Sequence, residues 1–385
     1  MRMARRPSVL HFAVAVMVLT AALAAAQEPA PGPSPEPSPS PEATPVPPPP
    51  PAGKIFNPDI AVIGNFLGAM GENDVDPRPS LEMEEAEVAL QALVDPYARA
   101  DFFLAFGPDG AEIEEAFLTF PTLPGGLLMK VGRLKASFGK VNTFHTHQIS
   151  WTDRPLMNVN LLGGEEGLAD SGISLSRLVP NSLLFLELTG EVFRGESELF
   201  QAPTRGDLAY GARLRAYRDL GEAVNVDLGS SFAYGHVAPG ETARIIGVDA
   251  TVRYRPLRRA IYRRFIARAE AVWRRDPAGL SDDAGSSTGD PSPPKGERTS
   301  RGAYFSAEYQ FARRWFAGAR LDWAERPEGG EEADKGVSGL VTFWPSEFSQ
   351  VRGQYRRIRY AEGPTSNELL FQFLFSIGAH GAHTF

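Results

Sequence analysis

From Asn57 onward the chain alternates apolar and polar residues with a period of two, in short segments punctuated by turn residues. Arg264 to Arg274 shows the pattern plainly: Phe265, Ala267, Ala269, Ala271 and Trp273 fall on one parity, and Arg264, Arg268, Glu270 and Arg274 on the other. Successive side chains of a strand point to opposite faces, so each segment is a strand with one oily and one charged side. The same split recurs at Asp207 to Tyr217, Arg244 to Arg255 and Trp315 to Trp323. In a soluble sandwich the oily face packs a core, whereas in a membrane barrel it meets lipid and the charged face lines the lumen.

The connections favour the barrel. Strands are expected at about 58–68, 82–94, 97–106, 112–120, 126–135, 168–178, 182–194 and 205–217, then at about 222–235, 242–255, 260–275, 302–311, 314–325, 336–344, 347–360 and 367–385. That makes sixteen. Tight turns such as Asp95-Pro96, Pro180-Asn181, Ala312-Arg313 and Pro345-Ser346 alternate with connections that are mostly longer, at 69–80, 136–167, 195–204, 276–301 and 326–335. An even strand number with short turns at one end and long loops at the other predicts an all-β, antiparallel transmembrane barrel with both termini on the periplasmic side. Aromatics near strand ends, among them Trp273, Tyr304, Trp315, Trp323 and Tyr360, are candidates for the interfacial girdles.

The preceding residues supply an export route. Arg2, Arg5 and Arg6, the apolar run Val9 to Ala22 and the small residues Ala24 to Ala26 read as a cleavable signal peptide over 1–26. Cleavage removes three arginines and no acid, taking the net charge from −8 to −11. So acidic a chain argues against nucleic acid as a partner. Residues 27–56 are proline-rich, with a run at Pro47 to Pro51, and read as an extended periplasmic segment that cannot bury a core. The barrel then occupies 57–385. With no cysteine there is neither a disulfide nor a thiolate site, and no nucleotide or catalytic motif stands out. The pair His147 and Ser150 offers a hydrolase reading, but on a loop expected to point inward rather than on the outer wall. No cofactor is expected.

Two stretches resemble known families. Leu127 to Gly139, LLMKVGRLKASFG, carries Lys130, Gly132, Lys135, Phe138 and Gly139, and is followed by a long excursion and Asp153-Arg154-Pro155-Leu156. This is similar to the phosphate-selective porin group (porins O and P) of sixteen-stranded outer-membrane barrels. The resemblance implies a passive channel, a third loop folded into the barrel, and a homotrimer. The last strand puts Phe371, Phe373, Phe375 and Ile377 on one parity and ends at Phe385, which resembles the signal read by the barrel insertion machinery of the outer membrane. The ending GAHGAHTF also resembles proteins labelled zinc-regulated outer-membrane receptors, although a plugged receptor needs about 22 strands and the chain is too short for them.

Lumen residues follow from parity. The first half of the barrel points Glu85, Glu87, Glu115, Glu187 and Glu191 inward, with Lys130. The second half points Arg213, Arg215, Arg253, Arg255, Arg264, Arg268, Arg320, Arg352 and Arg356 inward against Asp207, Asp249, Glu270, Glu308 and Asp322. If the loop at 136–167 leans on the acidic wall, the open path follows the arginines, whose planar forks suit phosphate or carboxylate. That loop carries Lys140, His145, His147, Trp151, Asp153 and Arg154 and is expected to form the constriction. His145 and His147, at i and i+2, are candidate metal ligands with Asp153 or Glu165, or else residues that pin the loop. His380 and His383 are a second candidate pair. The expected function is passive diffusion of small hydrophilic, anion-leaning solutes across the outer membrane, with a receptor for a metal or metal complex as the alternative.

Overall fold

The computed structural model describes residues 58–277, 297–327 and 332–378. The signal peptide, the proline-rich segment, His380, His383 and Phe385 lie outside the described residues. Sixteen strands run in chain order: β1 (Asp59–Glu72), β2 (Leu81–Asp95), β3 (Ala98–Gly107), β4 (Gly110–Leu123), β5 (Leu127–Lys135), β6 (Ala169–Leu178), β7 (Phe185–Phe193) and β8 (Ala209–Asp219) form the first half. The second half is β9 (Val224–Ala238), β10 (Glu241–Tyr254), β11 (Arg264–Pro277), β12 (Glu297–Ala312), β13 (Trp315–Glu325), β14 (Ala333–Ser346), β15 (Ser349–Arg359) and β16 (Thr365–Gly378). Each pairs antiparallel with its neighbours in sequence, and β1 pairs with β16, from Ala61↔Gly378 to Glu72↔Asn367, closing the barrel. Closure leaves no row of unpaired backbone donors, which a sheet surrounded by hydrocarbon requires.

The alternation sorts the side chains inside out relative to a soluble protein. Arg320, Gln354, Gln372 and Glu87 are among the largest fully buried side chains, while Leu321, Val341, Phe371, Phe373 and Ile377 stand exposed on the outer face. An outer surface of this kind is at home in lipid. Near the turn end of the barrel, Phe311, Trp315 and Phe343 form an aromatic stretch with ring centroids 6.5 and 4.6 Å apart, and the exposed Trp273 and Trp323 also face outward. Tyr304 and Tyr360, expected among girdle candidates, are instead buried. No helix among the described residues is long and apolar enough to cross a membrane.

Three departures from strict alternation have local causes. β7 starts at Phe185 because the Asn181 side chain accepts the amides of Leu183 and Leu184 and holds a turn there. β8 starts at Ala209 because Asp207 accepts from the amide and hydroxyl of Thr204, so Asp207 belongs to a loop and not to the lumen wall. The register of β1 against β2 skips Glu84, and that of β3 against β4 skips Glu114. Such bulges place two consecutive residues against one partner and re-aim a side chain. Glu84 and Glu85 thus both turn inward, as do Glu114 and Glu115. Beside the second bulge Gly132 adopts φ 146°, where a Cβ would strike the Ala116 carbonyl, so this position of the KxGxxK stretch tolerates only glycine.

The connection between β5 and β6 turns into the barrel. It contains 3-10 turns at Val141–Thr143 and Thr146–Gln148 and a short helix, α1 (Leu156–Leu161). Its apolar residues Phe138, Val141, Ile149, Trp151, Met157, Leu161 and Leu162 form one buried cluster with Val272, Tyr304, Leu340, Ile358 and Tyr360 of the wall and its rim. Small inward residues make room: a Cβ on Gly302 would meet Met157 and Leu161 at 2.9–3.0 Å, and one on Gly247 would meet the Phe138 ring at 2.8 Å. Fully burying a side chain such as Leu161 or Met157 contributes about 1.5–3 kcal/mol, enough for a few of them to hold the segment in place.

Candidate functional site: the inward loop and the charges it meets

Polar contacts fasten this loop at four places. At its neck the Asn142 amide donates to the carbonyls of Ala136 and Leu168 (2.9 and 3.0 Å) and accepts the Leu168 amide (2.8 Å), drawing the two ends together. Next to it the amides of Lys140 and Val141 donate to Glu270 at 2.8 and 3.0 Å, as does the Tyr304 hydroxyl at 2.8 Å. Gly139 donates to Ser231 (3.0 Å), and Lys140 Nζ lies 3.4 Å from Asp227.

The third fastening is Asp153. Arg320 donates to its carboxylate at 2.7 Å and to its carbonyl at 2.9 Å, Arg356 approaches at 3.3 Å, and Gln354 donates at 2.5 Å. Arg320 is also bonded to Asp322 (2.7 Å) and Arg356 to Glu368 (2.7 Å), while the Arg320 guanidinium stacks 5.0 Å from the Trp151 ring centre. Burial on its own would push the Asp153 carboxyl up; Arg320 and Arg356 outweigh it and hold the group well below the ordinary carboxylate range. Arg352 donates to the Ile149 carbonyl at 3.2 Å and Arg268 to the Ser150 hydroxyl at 3.2 Å, so Ser150 is a structural partner of an arginine.

The fourth lies on the opposite wall. His145 Nδ1 bonds Glu114 and stands 2.9 Å from Glu87, and its Nε2 stands 2.9 Å from Glu115. His147 Nδ1 is 3.5 Å from the same Glu87 oxygen. Lys135 is 3.7 Å from Glu114, and Arg154 donates to the carbonyls of Val141 and Phe144. Burial disfavours charge on His145, but its bonds to Glu114, Glu115 and Glu87 prevail and hold the imidazole protonated well above its usual range.

The loop therefore spans the lumen, with its histidines on the acidic wall and residues 149–161 on the arginine wall. This corrects the expectation of an uncovered arginine ladder. Arg213, Arg268, Arg320, Arg352 and Arg356 are all buried, and Arg213 is bonded to Asp249 (3.0 Å) and Arg268 to Glu308 (2.7 Å). Arg215, Arg253, Arg255 and Arg264, at the turn end, are only partly covered or exposed. Arg215, Arg253 and Lys140 share the single carboxylate of Asp227, at 2.8, 3.9 and 3.4 Å. Beside them a cavity of about 320 Å³ is lined by Arg264, Arg313, Arg314, Gln310 and Glu347. On the first half of the barrel Lys130 lies over the Phe117 ring at 4.4 Å, Glu191 accepts the Ser137 amide (2.9 Å), and Glu187 is partly exposed opposite Arg215.

The carboxylates expected to join the histidines do something else. Asp153 is held by arginines, and Glu165 sits exposed against Arg78 at 2.9 Å. The residues that do meet the imidazoles include Glu114, which strict parity turns outward. The doublets Glu84-Glu85 and Glu114-Glu115 were the available signal, since two adjacent acids in an alternating strand suit only a bulge. Asn142 had no such signal.

Comparison with known proteins agrees on the architecture. The chain superposes on an anion-selective porin from Comamonas acidovorans with a TM-score of 0.56, covering 83% of this chain and 99% of that one at 10% identity. It superposes on Salmonella typhi OmpF, solved with daunomycin, with a TM-score of 0.55, covering 84% and 98% at 10% identity. The fold is that of the outer-membrane porins. OmpT of Vibrio cholerae, an outer membrane protein also solved in a trimer form, is similar at a TM-score of 0.52 and 10% identity, over 83% of this chain and 100% of that one. In sequence, a protein of Aquifex aeolicus (strain VF5) described as uncharacterized is 29% identical over 358 residues, 83% of this chain and 73% of its own length. No protein-family model matches the chain.

Proposed function

We propose that the chain is a porin of the bacterial outer membrane, through which small hydrophilic solutes diffuse passively. The observation that carries this reading is the combination of a lipid-compatible exterior, a charged lumen and a loop folded across that lumen. A barrel of sixteen strands is wide enough to leave an aqueous path, and an inward loop narrows it to a selective constriction. Lys140, His145, His147, Trp151, Asp153 and Arg154 form that constriction, and the chain reaches the membrane by the signal peptide and the barrel insertion machinery.

The reading extends to an anion preference. With four lumen arginines paired to carboxylates and Arg352 buried on neutral acceptors, the charge left open to solvent is the group Arg215, Arg253, Arg255 and Arg264 with Lys140 against Asp227, and anions concentrate in such a field. The resemblance around Lys130 to Gly139 points to phosphate within that class, although Lys135 is committed to Glu114 and the solute contacts fall to the arginines. A homotrimer is the assembly that the porin likeness supports.

Reconstitution of the purified protein in a planar bilayer tests this. Steady single-channel conductance with a chloride-leaning reversal potential in a KCl gradient is the expected result. A cation-leaning potential would move the path to the acidic wall, and absence of conductance would overturn the porin reading.

A further inference from the structure

We propose that His147 of the inward loop and Glu85 and Glu87 of the acidic wall together form a site for a divalent transition-metal ion of the zinc class. The donor atoms of Glu85, Glu87 and His147 lie within 4.8 Å of one another. The ligand type is right. Imidazole with carboxylate suits zinc and its neighbours, whereas calcium and magnesium sites are built from oxygen alone.

The spacing is right as well. Donors bonded tetrahedrally at 2.0–2.1 Å from one ion sit about 3.3 Å from each other. His147 Nδ1 lies 3.5 Å from a Glu87 oxygen, close to an edge of such a tetrahedron, while His145 keeps its bonds to Glu114 and Glu115 beside the ion.

A second observation points independently to a cation. Glu85 is 8% exposed, and its Oε1, buried beside Glu87 and His147, has no hydrogen-bond partner. An unpaired carboxylate oxygen in such surroundings is costly unless something positive meets it. The fixed cations nearby are committed: Lys135 is 3.7 Å from Glu114, Arg78 serves Glu84 and Glu165, and Arg154 caps backbone carbonyls. Four buried or nearly buried carboxylates, Glu85, Glu87, Glu114 and Glu115, therefore face the two histidines with a negative excess. His147 also lines a cavity of about 30 Å³ with Gln148, Ser150, Glu308 and Arg352.

The chemistry joins two parts of the fold. His147 comes from the loop and Glu85 and Glu87 from β2, so a bound ion fastens the loop to the acidic wall. The site itself stands on these side chains alone; an effect of the metal on conductance additionally rests on the porin reading.

The test uses the full-length protein carrying H380A and H383A, which removes the other histidine pair, after stripping with EDTA. Zinc chloride is titrated against a chromophoric chelator. One zinc per chain is expected, with E87Q weakening the affinity at least about tenfold. X-ray absorption at one equivalent of zinc should report a nitrogen and oxygen shell containing one imidazole, and this reading needs no further variant should E87Q fail to form the barrel. Absence of stoichiometric zinc, affinity unchanged in folded E87Q, or a shell without imidazole would each overturn the site. Conductance recorded in parallel separates the two ideas, because channels that pass ions but bind no zinc refute the site and leave the porin intact.

Discussion

Asp153→Asn tests whether the loop is held by its charges or by its apolar cluster. The substitution keeps the side-chain shape and the Gln354 contact, and removes the charge that Arg320 and Arg356 meet at 2.7 and 3.3 Å. Taking one partner from a buried ion pair costs about 3–5 kcal/mol, chiefly because the other charge is left uncompensated. Here each arginine keeps a second carboxylate, Asp322 or Glu368, both at 2.7 Å, which places the cost near the lower bound, about 3 kcal/mol. At about 1.4 kcal/mol per factor of ten, detachment of the loop becomes roughly a hundredfold more populated. Native-state hydrogen exchange in detergent reads this directly. The Thr152 and Leu156 amides, bonded to Gln354 and Asp322, should exchange about a hundredfold faster, while amides in β13 and β15 stay unchanged. Single-channel records should show added flicker. Unaltered exchange at Thr152 and Leu156 would refute the electrostatic account and assign the fastening to the apolar cluster around Met157 and Leu161.

Three further perturbations have defined outcomes. Gly302→Leu places carbon where Met157 and Leu161 already pack and should destabilise the inward loop by about 1–3 kcal/mol, read as protease cleavage within 144–162 that the wild-type barrel resists. For acid, the sign follows from Asp153: its carboxyl is held below its unfolded value, so its contribution is complete above the ordinary carboxylate range and is lost only as pH falls through the lower folded value; channel noise should stay constant down to about pH 4 and rise below it. Arg215→Glu with Arg253→Glu reverses the charge at the turn-end mouth and should carry the reversal potential toward cations, with an unchanged potential placing the solute path elsewhere.

Much of this protein is legible in one dimension, because a strand has a period of two and a barrel repeats it. Parity alone placed Arg320, Arg352 and Arg356 in the lumen and Phe371, Phe373 and Ile377 on the outer face, and the alternation of short and long connections yielded sixteen antiparallel strands. Parity misled at Asp207, where an Asp-Thr turn delays β8, and at Glu114, where a bulge spends one extra residue and returns two neighbours to the same face. Both failures are local, and both had a local trace.

The site is another matter. Whether Asp153 meets Arg320, or His145 meets Glu87, depends on side chains 167 and 58 positions apart being brought together by barrel closure and by the fall of the loop. Periodicity specifies which face a residue is on but not which residue lies across the lumen. The sequence by itself determined the wall, its two faces and its direction of travel. Only the tertiary structure decided which arginines are paired with carboxylates, which are left partly exposed, and where two histidines come to rest among carboxylates, because those outcomes are set by packing and Coulomb energy between segments that share no local pattern.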